Sequence, residues 1–554
     1  MASPAGAKSV TFGTSGFRGR WGIEFTESVA CDIAQAICDY LREIESRDGK
    51  IVVIGYDSRE HADEVAQWIA DVVLQNGFSA HLTARDTPTP VLSYYACEVL
   101  GDACAGVINC TSSHNPIEWQ GIKFSLHDGS ISPPQTTDFI AERATAYRQG
   151  KRTSQPRDLD DANRARLSLF DPREQYCRWL LDSGNGNCRI SFDLQRIREH
   201  FADKLVIVDE MHGTGRGYLR GMLEEIGVPH RVIHAERDPR LGDLHAANPE
   251  EPHIQGLKDA VATSGAVLGL GLDTDADRYG IVDAGGIYIE PNYVLAMLTR
   301  YLGVERRMNG CVATTYVTTH MLDRIAADIP DNDAYRPSPG ALPMHRRDPE
   351  YAVVCGPEDG LVSENVFTVL TGLKFIIQVP QMDRDYNLLD SPPEDWRCRL
   401  LIGGEQASGL TAMGNVPDKD GMLACLLVLD MVASFGASMS EIWEETQALY
   451  GRTITNPMNL RIPDEQKASF IDGFLETAAD QGTLGGQSVI FAGGIPGKYA
   501  ELQLLDASGC KNNFIHARPS GTEPLVRVYL ETSSEELLLA LRAEVDARVE
   551  ALSG

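Results

Sequence analysis

Positive charge is scarce in this chain: 50 lysines and arginines face 79 aspartates and glutamates, a formal net charge of −29. That deficit argues against general nucleic-acid binding and against docking on an anionic membrane surface, since both need basic patches. An anionic ligand must instead be met by local arginines. Long apolar runs are also missing: none approaches the roughly 18 residues of a membrane span, and residues 1–10 lack the apolar stretch of a secretory leader. Paired cysteine motifs are a third absence. The 12 cysteines are scattered among apolar segments (Cys31, Cys38, Cys97, Cys104, Cys177, Cys425) without CxxC spacing. This speaks against a zinc knuckle or a disulfide framework and for buried thiols in a reducing compartment. A soluble, cytoplasmic protein is expected, and nothing in the sequence predicts its oligomeric state.

What the chain does have is length and alternation. Its 554 residues exceed what one hydrophobic core usually holds, and at roughly 100 to 200 residues per domain three to five domains are expected. Short β-branched runs alternate with helical periodicity, the pattern of α/β units. Lys50 to Gly55 reads as a strand, Val65 to Asn76 as a helix closed by Gly77, and Ala80 to Thr83 as the next strand. Val206 to Val208, the helix from Tyr218 to Ile226 ending at Gly227, Val267 to Leu272 and Tyr279 to Val282 continue the series. Leu400 to Ile402 and the apolar helix Met422 to Val432 follow.

Three apolar runs end in polar loops at 111, 273 and 403, which reads as a weak repeat of one strand-loop-helix design. Ligands sit at such strand ends. The last segment reads differently: Asn512 to Pro524 as a loop between strands, Leu525 to Leu530 as an alternating strand, and Ser534 to about Leu552 as a closing amphipathic helix. It is expected to form a smaller α+β domain. Linkers are expected at Arg148 to Asp171 and around Ala433 to Ser440, and the polar, proline-rich residues 331–358 read as an insertion.

Three stretches carry the chemistry. In Thr111-Ser112-Ser113-His114-Asn115-Pro116 an apolar run delivers hydroxyls into a turn that Pro116 ends, where a serine could carry a phosphoryl group. On local chemistry alone, Ser113 also reads as a helix cap and His114 as a packing histidine. Asp273, Asp275 and Asp277 place carboxylates at i, i+2 and i+4 after an apolar strand. They would repel one another unless a divalent cation neutralised them, and hard oxygen donors suit Mg²⁺; a solvated acidic loop is the alternative. Arg278 beside them could balance charge or reach a substrate. In Arg518-Pro519-Ser520-Gly521-Thr522-Glu523-Pro524 a guanidinium, hydroxyls and a glycine-permitted backbone gather in one loop, which suits a phosphate, with a surface β-turn as the alternative.

Taken together, these stretches resemble the α-D-phosphohexomutase superfamily of phosphoglucomutases and phosphomannomutases, in the family's order. Gly13-Thr14-Ser15-Gly16-Phe17-Arg18-Gly19 is similar to its N-terminal loop, and Thr111 to Pro116 with Gly121-Ile122-Lys123 to its phosphoserine loop. Asp273 to Arg278 resembles the magnesium loop, Gly403-Gly404-Glu405 the start of the sugar loop, and Arg518 to Pro524 with Arg527, Tyr529 and Glu531 the phosphate loop. The resemblance implies three similar mixed α/β domains and a smaller C-terminal α+β domain around a central cleft. The expected limits are 1–165, 172–290, 291–435 and 441–554.

The resemblance further implies a mutase that interconverts hexose 1-phosphate and hexose 6-phosphate through phosphorylated Ser113 and a bisphosphorylated sugar. Hexose 1,6-bisphosphate would be its activator. Ser113, Lys123, His114 and Arg18 would be catalytic; Mg²⁺ would be held by Asp273, Asp275, Asp277 and the phosphorylated Ser113. Arg278, Glu405, Ser408, Arg518, Ser520, Gly521, Thr522 and Arg527 would bind the phosphorylated sugar. The chain departs from the pattern in three places. Ser112 stands where alanine is usual, Thr274 where glycine is usual, and Ala407 where the sugar loop has serine, so that Ser408 would take over after a one-residue shift. Glucose phosphate is the first expected substrate and mannose phosphate the second, with glucosamine and pentose phosphates open. A catalytically weak phosphosugar-binding or regulatory protein and a hydrolytic phosphatase are the competing readings.

Overall fold

The computed structural model describes residues 9–13, 16–152, 159–182, 189–242, 244–329, 366–369, 371–386, 396–506, 509, 511–520 and 524–553. The expected insertion at 331–358, and Gly521 and Thr522 of the expected phosphate loop, lie outside the described residues. Two compact units are formed, one from residues 1–291, 372–387 and 391–439, the other from 292–371, 388–390 and 440–554.

In the first unit, β1 (Phe17–Arg20), β2 (Ile51–Tyr56), β3 (Ser79–Thr83), β4 (Cys104–Cys110), β5 (Trp119–Ser125) and β6 (Leu167–Phe170) build a mixed sheet of order β1-β5-β4-β2-β3-β6. Strands β2, β3, β4 and β6 run parallel, and β5 and β1 close one edge antiparallel. Both faces of β2 are covered, as its unbroken Ile-Val-Val-Ile run requires. Val52 and Ile54 pack with Val29, Ile33 and Ile37 of the helix Glu27–Glu43 and with Val65 and Ile69 of the helix Ala62–Gln75. Val53 points to the opposite core, with Leu92, Tyr95 and Val107.

The helix Glu27–Glu43 is capped by the Thr26 hydroxyl, which accepts from the Val29 N–H. It also carries Asp32, half-buried and pushed up to about 6 by desolvation, with Arg148 opposing. A raised folded-state value means that Asp32 favours the fold only while protonated. That contribution fades as pH rises from about 4 through about 6. Asp32→Asn is therefore expected to melt higher than wild type at pH 8 and level with it at pH 4, in thermal melts followed by circular dichroism.

The second sheet of this unit joins β7 (Val206–Asp209), β8 (His230–Ile233), β9 (Leu268–Leu272), β10 (Tyr279–Asp283) and β11 (Ile287–Ile289) in the order β11-β10-β9-β7-β8. β7 pairs in parallel with β8 and β9, while β9, β10 and β11 are antiparallel. The strands Leu400–Glu405 and Gly409–Ala412 form an antiparallel hairpin, and the apolar helix Gly421–Phe435 follows.

The expected repeat is present in a different form. Each polar loop joins two antiparallel strands, β4 to β5, β9 to β10, and Leu400–Glu405 to Gly409–Ala412. The design is strand-loop-strand, because each loop is followed by a short apolar run that completes a ladder before any helix begins. The stretches expected as linkers carry regular structure in part. Residues 161–164 are helical and Leu167–Phe170 is the edge strand β6, while the break near 433–440 shrinks to a turn at Gly436 between helices ending at Phe435 and starting at Met439.

In the second unit Cys311–Thr315 and Val366–Val369 pair in parallel. The C-terminal portion is a six-stranded sheet in the order Ile454–Arg461, Leu525–Thr532, Asn513–Pro519, Tyr499–Leu505, Gln487–Ile495 and Thr483–Leu484. Residues 513–519, expected as loop, are a strand: Ile515 and Ala517 enter the core while Phe514, His516 and Arg518 take the other face. The core face packs Leu502, Leu504, Val526, Val528 and Leu530 against Phe470 and Phe474 of the helix Asp464–Gln481 and Leu541 of the helix Glu535–Ser553.

Cysteine behaviour is mixed. Cys38, Cys104, Cys110, Cys311 and Cys425 are buried free thiols, whereas Cys31, Cys97 and Cys177 are partly exposed and Cys398 is disulfide-bonded. Among the described residues no single helix is long and apolar enough to cross a membrane.

Candidate active site

The site in the first unit starts at the C-terminal ends of β2 and β4, which pair in parallel with Tyr56 opposite Cys110. Two loops leave there side by side, and the Asp57 N–H donates to the Cys110 carbonyl at 3.0 Å. No helix follows Pro116; the chain enters β5 at Trp119, so Ser113 has no helix to cap. Instead it is buried in the left-handed region at φ 55°. Its N–H donates to Thr111 Oγ1 at 2.9 Å, and that hydroxyl donates to Asp57 Oδ2 at 2.7 Å.

Arg59, fully buried, holds the loop from behind. Its Nε lies 3.1 Å from Asp57 Oδ2, and its fork donates to the carbonyls of Ser113, Asn115 and Pro116. The sequence reading missed this residue. An acid and an arginine two apart, just past a buried parallel strand, were the available signal.

The Ser113 hydroxyl donates to Asp273 Oδ2 at 3.2 Å and lies 3.3 Å from His114 Nδ1. Asp273, Asp275 and Asp277 are all fully buried in the turn between β9 and β10, with carboxylate oxygens within 4.8 Å of one another. Thr274 is not in the positive-φ region; Ala276 is, at φ 53°, so the usual glycine position is not where this turn needs one. Asp275 Oδ1 and Asp277 Oδ1 have no hydrogen-bond partner. Converging, buried, unsatisfied carboxylate oxygens are a donor set that fits a hard divalent cation such as Mg²⁺.

Lys123, on β5, donates to Asp275 Oδ2 at 2.6 Å and to Asp277 Oδ2 at 2.7 Å, and Lys419 Nζ lies 3.2 Å from Asp277 Oδ2. Burial would lower the Lys123 ammonium, but Asp275, Asp277 and Asp418 outweigh it and hold it above the ordinary lysine value. Its direct partners are acids. Burial and the charges of Asp277 and Asp275 push Asp273 well up, while Lys123, Lys419 and Arg278 overcome the same burial to hold Asp277 down. His114 is driven well below its usual value by burial and then by Arg278, Arg18 and Lys419, so it is neutral. Arg18, lowered to about 10 by burial and by Arg278, donates to Asn115 Oδ1 at 2.7 Å.

Arg278 N–H donates to Asp273 Oδ1 at 3.1 Å, and an isolated bridge pairs Arg278 with Gly409 of the hairpin. Glu405 is buried. Ser408 departs from expectation: it is fully buried at φ 59°, and its hydroxyl donates to Glu250 Oε1 at 2.6 Å. The proton of that hydroxyl is committed to Glu250 inside the protein.

The helix Gly421–Phe435 begins against the aspartate loop. Gly421 N–H donates to the Ala276 carbonyl at 3.1 Å, and a β-carbon there would collide with the Arg278 carbonyl. Gly421→Ala is expected to displace the loop and lower Mg²⁺-dependent turnover by about 10²-fold, the scale of an ångström-sized misplacement. A Mg²⁺ activation curve matching wild type would refute this.

In the second unit Arg518 and Arg527 face each other across adjacent strands. Like charges so placed repel, and a bound anion would relieve that repulsion. Arg518 donates to the Tyr529 hydroxyl at 3.1 Å. Ser520 N–H donates to the Leu525 carbonyl at 2.8 Å, and the buried Lys467, also missed from the sequence, donates to the Ser520 carbonyl at 3.0 Å. Gly521 and Thr522 lie outside the described residues.

A buried serine hydroxyl on a carboxylate triad, with a separate arginine pair suited to an anion, is equipment for phosphoryl transfer. The comparisons narrow this. Models of the four phosphoglucomutase/phosphomannomutase domains match in family order: alpha/beta/alpha domain I at 9–151, domain II at 187–286, domain III at 363–450 and the C-terminal domain at 458–548. A phosphoglucomutase of Komagataeibacter xylinus is 26% identical, with 98% of this chain and 91% of that protein covered. A phosphoglucosamine mutase of Carboxydothermus hydrogenoformans is 23% identical over 98% of this chain and 99% of that one. Among solved structures, the open form of the Paramecium phosphoglucomutase parafusin superposes with a TM-score of 0.71 at 20% identity, covering 99% of this chain and 95% of that one. The chain belongs to the phosphoglucomutase/phosphomannomutase family of α-D-phosphohexomutases, and it is an isomerase that acts as an intramolecular phosphotransferase.

Proposed function

We propose that the protein is a phosphohexomutase that interconverts glucose 1-phosphate and glucose 6-phosphate through phosphorylated Ser113, with mannose phosphate as second substrate and glucose 1,6-bisphosphate as activator. The observation that carries the reading is Ser113 itself, a strained, buried serine 3.2 Å from Asp273 Oδ2 and 3.3 Å from His114 Nδ1. In the forward half-reaction the bond between phosphorus and Ser113 Oγ breaks and a bond to the free sugar hydroxyl forms. The hydroxyl proton passes to neutral His114, and Ser113 Oγ takes a proton from Lys123 as it leaves. The return half reverses this at the other end of the sugar, so no net phosphate is consumed.

Asp273, Asp275 and Asp277 would hold Mg²⁺ together with a phosphoserine oxygen, and the bound ion would neutralise charge on the transferred group. Lys123, kept charged by its carboxylates, supplies further positive charge and a proton to the leaving oxygen. Arg18 orients the loop through Asn115. Arg518 and Arg527, with Ser520, Gly521 and Thr522, grip the phosphate that does not react, and binding energy there orients the distant hydroxyl. Glu405 and Arg278 read the sugar. Burial of Ser113 keeps bulk water from the phosphoserine, which favours transfer over hydrolysis.

The test is conversion of glucose 1-phosphate with Mg²⁺ and a trace of glucose 1,6-bisphosphate, with mannose, glucosamine and ribose phosphates run in parallel and free phosphate monitored. Glucose 6-phosphate formation without phosphate release is expected. Faster turnover of another sugar would move the substrate, and phosphate release would indicate a phosphatase. No turnover in protein that still binds these sugars would leave a binding protein.

A further inference from the structure

Three buried side chains converge on the polar face of the C-terminal sheet, within the second unit. Glu501 and His516 are direct partners across Tyr499–Leu505 and Asn513–Pro519, and His320 joins them from the start of the short helix Met321–Ala326. His320 Nε2 lies 3.3 Å from His516 Nε2 and 3.8 Å from Glu501 Oε1, and one donor atom from each residue falls within 4.8 Å of the others. None of the three has a role in the phosphoryl-transfer reading.

We propose that His320, His516 and Glu501 form a site for a divalent transition-metal ion, zinc first, through Nε2, Nε2 and Oε1, with the fourth position open to water. Tetrahedral zinc with Zn–N bonds of about 2.0 to 2.1 Å separates its ligand nitrogens by about 3.3 to 3.4 Å. The two imidazole nitrogens already stand at 3.3 Å. Two imidazoles and one carboxylate suit zinc and discriminate against Mg²⁺, which prefers the all-oxygen aspartate loop.

The surroundings orient the donors as metal ligands are usually oriented. His320 Nδ1 lies 3.1 Å from Asp323 Oδ2, which fixes the ring with Nε2 facing inward. The Tyr499 hydroxyl donates to Glu501 Oε2, turning Oε1 toward the histidines. Phe514 stacks on His320 with ring centroids 3.7 Å apart, and the two imidazoles lie within 11° of parallel.

Charge points the same way. Glu501, Glu531 and the nearly buried Asp323 bring three carboxylates to two imidazoles, and Glu531 Oε2 accepts from the His320 N–H at 3.1 Å. The cations acting on Glu531 are His320, when protonated, and Arg324; with His320 neutral as a ligand, Arg324 alone remains of the two. Such an excess of buried negative charge favours a bound cation. His516 is two residues before Arg518 on the same face of its strand, so the ion would tie the segment around His320 to the strand that carries the phosphate-binding arginine.

The experiment is equilibrium dialysis of chelator-stripped, full-length protein against Zn²⁺ with Mg²⁺ in excess to occupy the aspartate loop. Wild type and the double variant Asp273→Asn/Asp277→Asn are each expected to retain about one zinc per chain and to melt several degrees higher than without zinc. His320→Gln and His516→Gln are expected to lose both the zinc and the shift. Co²⁺ loaded into wild type is expected to give the intense visible bands of a four-coordinate nitrogen site, a readout that needs no variant. Zinc absent from wild type, zinc lost with the aspartates but kept without the histidines, or only the weak spectrum of six-coordinate oxygen ligation would each overturn the site. The two imidazoles would then be joined by a plain N–H···N hydrogen bond. Neither result depends on mutase turnover, so the site and the catalytic reading fail separately.

Discussion

Ser113→Ala is expected to lower mutase turnover by at least about 10⁴-fold, the scale on which removal of a covalent nucleophile acts. The adjacent hydroxyl of Ser112 cannot stand in. Ser112 is fully buried and donates to the Trp119 carbonyl at 3.1 Å, so the serine that replaces the family's usual alanine is committed to the loop backbone. Ser112→Ala should accordingly keep turnover within a few-fold of wild type. The backbone supplies a control for the nucleophile, because residue 113 sits at φ 55°, where a side chain costs about 1 kcal/mol relative to glycine. Ser113→Gly is expected to be as inactive as Ser113→Ala while melting higher. Mass spectrometry should find phosphate on residue 113 of wild type and not of the variants. Retained turnover in Ser113→Ala would end the phosphoserine reading.

Arg59 is the second residue whose loss should be severe. It touches no substrate in the proposed reaction, yet its guanidinium satisfies three loop carbonyls and neutralises Asp57 in a fully buried position. Arg59→Ala leaves a buried carboxylate and three loop carbonyls, that of Ser113 buried, without their partner. A destabilisation of about 3 to 5 kcal/mol is expected, measured by denaturant unfolding. Arg59→Lys separates folding from positioning: it keeps the charge and loses the planar fork. It should fold, hold KM within a few-fold, and lose about 10²-fold in kcat as the serine loop shifts. A lysine variant with wild-type kcat would show that the fork does not position Ser113.

Legibility from the sequence followed the range of the interactions. The aspartate loop was readable because three carboxylates and the apolar strand before them are contiguous, and repulsion among neighbours in sequence needs no tertiary knowledge. The helix ends at Gly77 and Gly227 were readable for a similar reason, since both glycines take positive φ, at 91° and 89°. The residues missed share the opposite property. Arg59 reaches the serine loop across 54 positions, Lys467 reaches Ser520 across 53, and Lys419 and Glu250 come from other elements altogether. An isolated arginine or lysine in an acidic chain carries no local mark of such a partner.

The errors divide along the same line. Arg518 and Pro519 carry the residue types of a turn, but the ladder that pairs Arg518 with Arg527 and Pro519 with Val526 overrides local preference and extends the strand through them. Ser408 offered a hydroxyl in the right neighbourhood, and only the fold could direct it to Glu250.

The sequence by itself determined the class of fold, the order of the loops and the chemical character of each, because apolar periodicity, glycine positions and clustered charge act over a few residues. Tertiary structure alone decided which groups meet: that Lys123 lies between two aspartates, that Arg59 braces the serine loop, that Ser408 turns inward, and that two histidines and a glutamate from separate segments share one buried site. Those outcomes depend on strand register and on burial, which set distance and dielectric together, and neither is a property of any short stretch of chain.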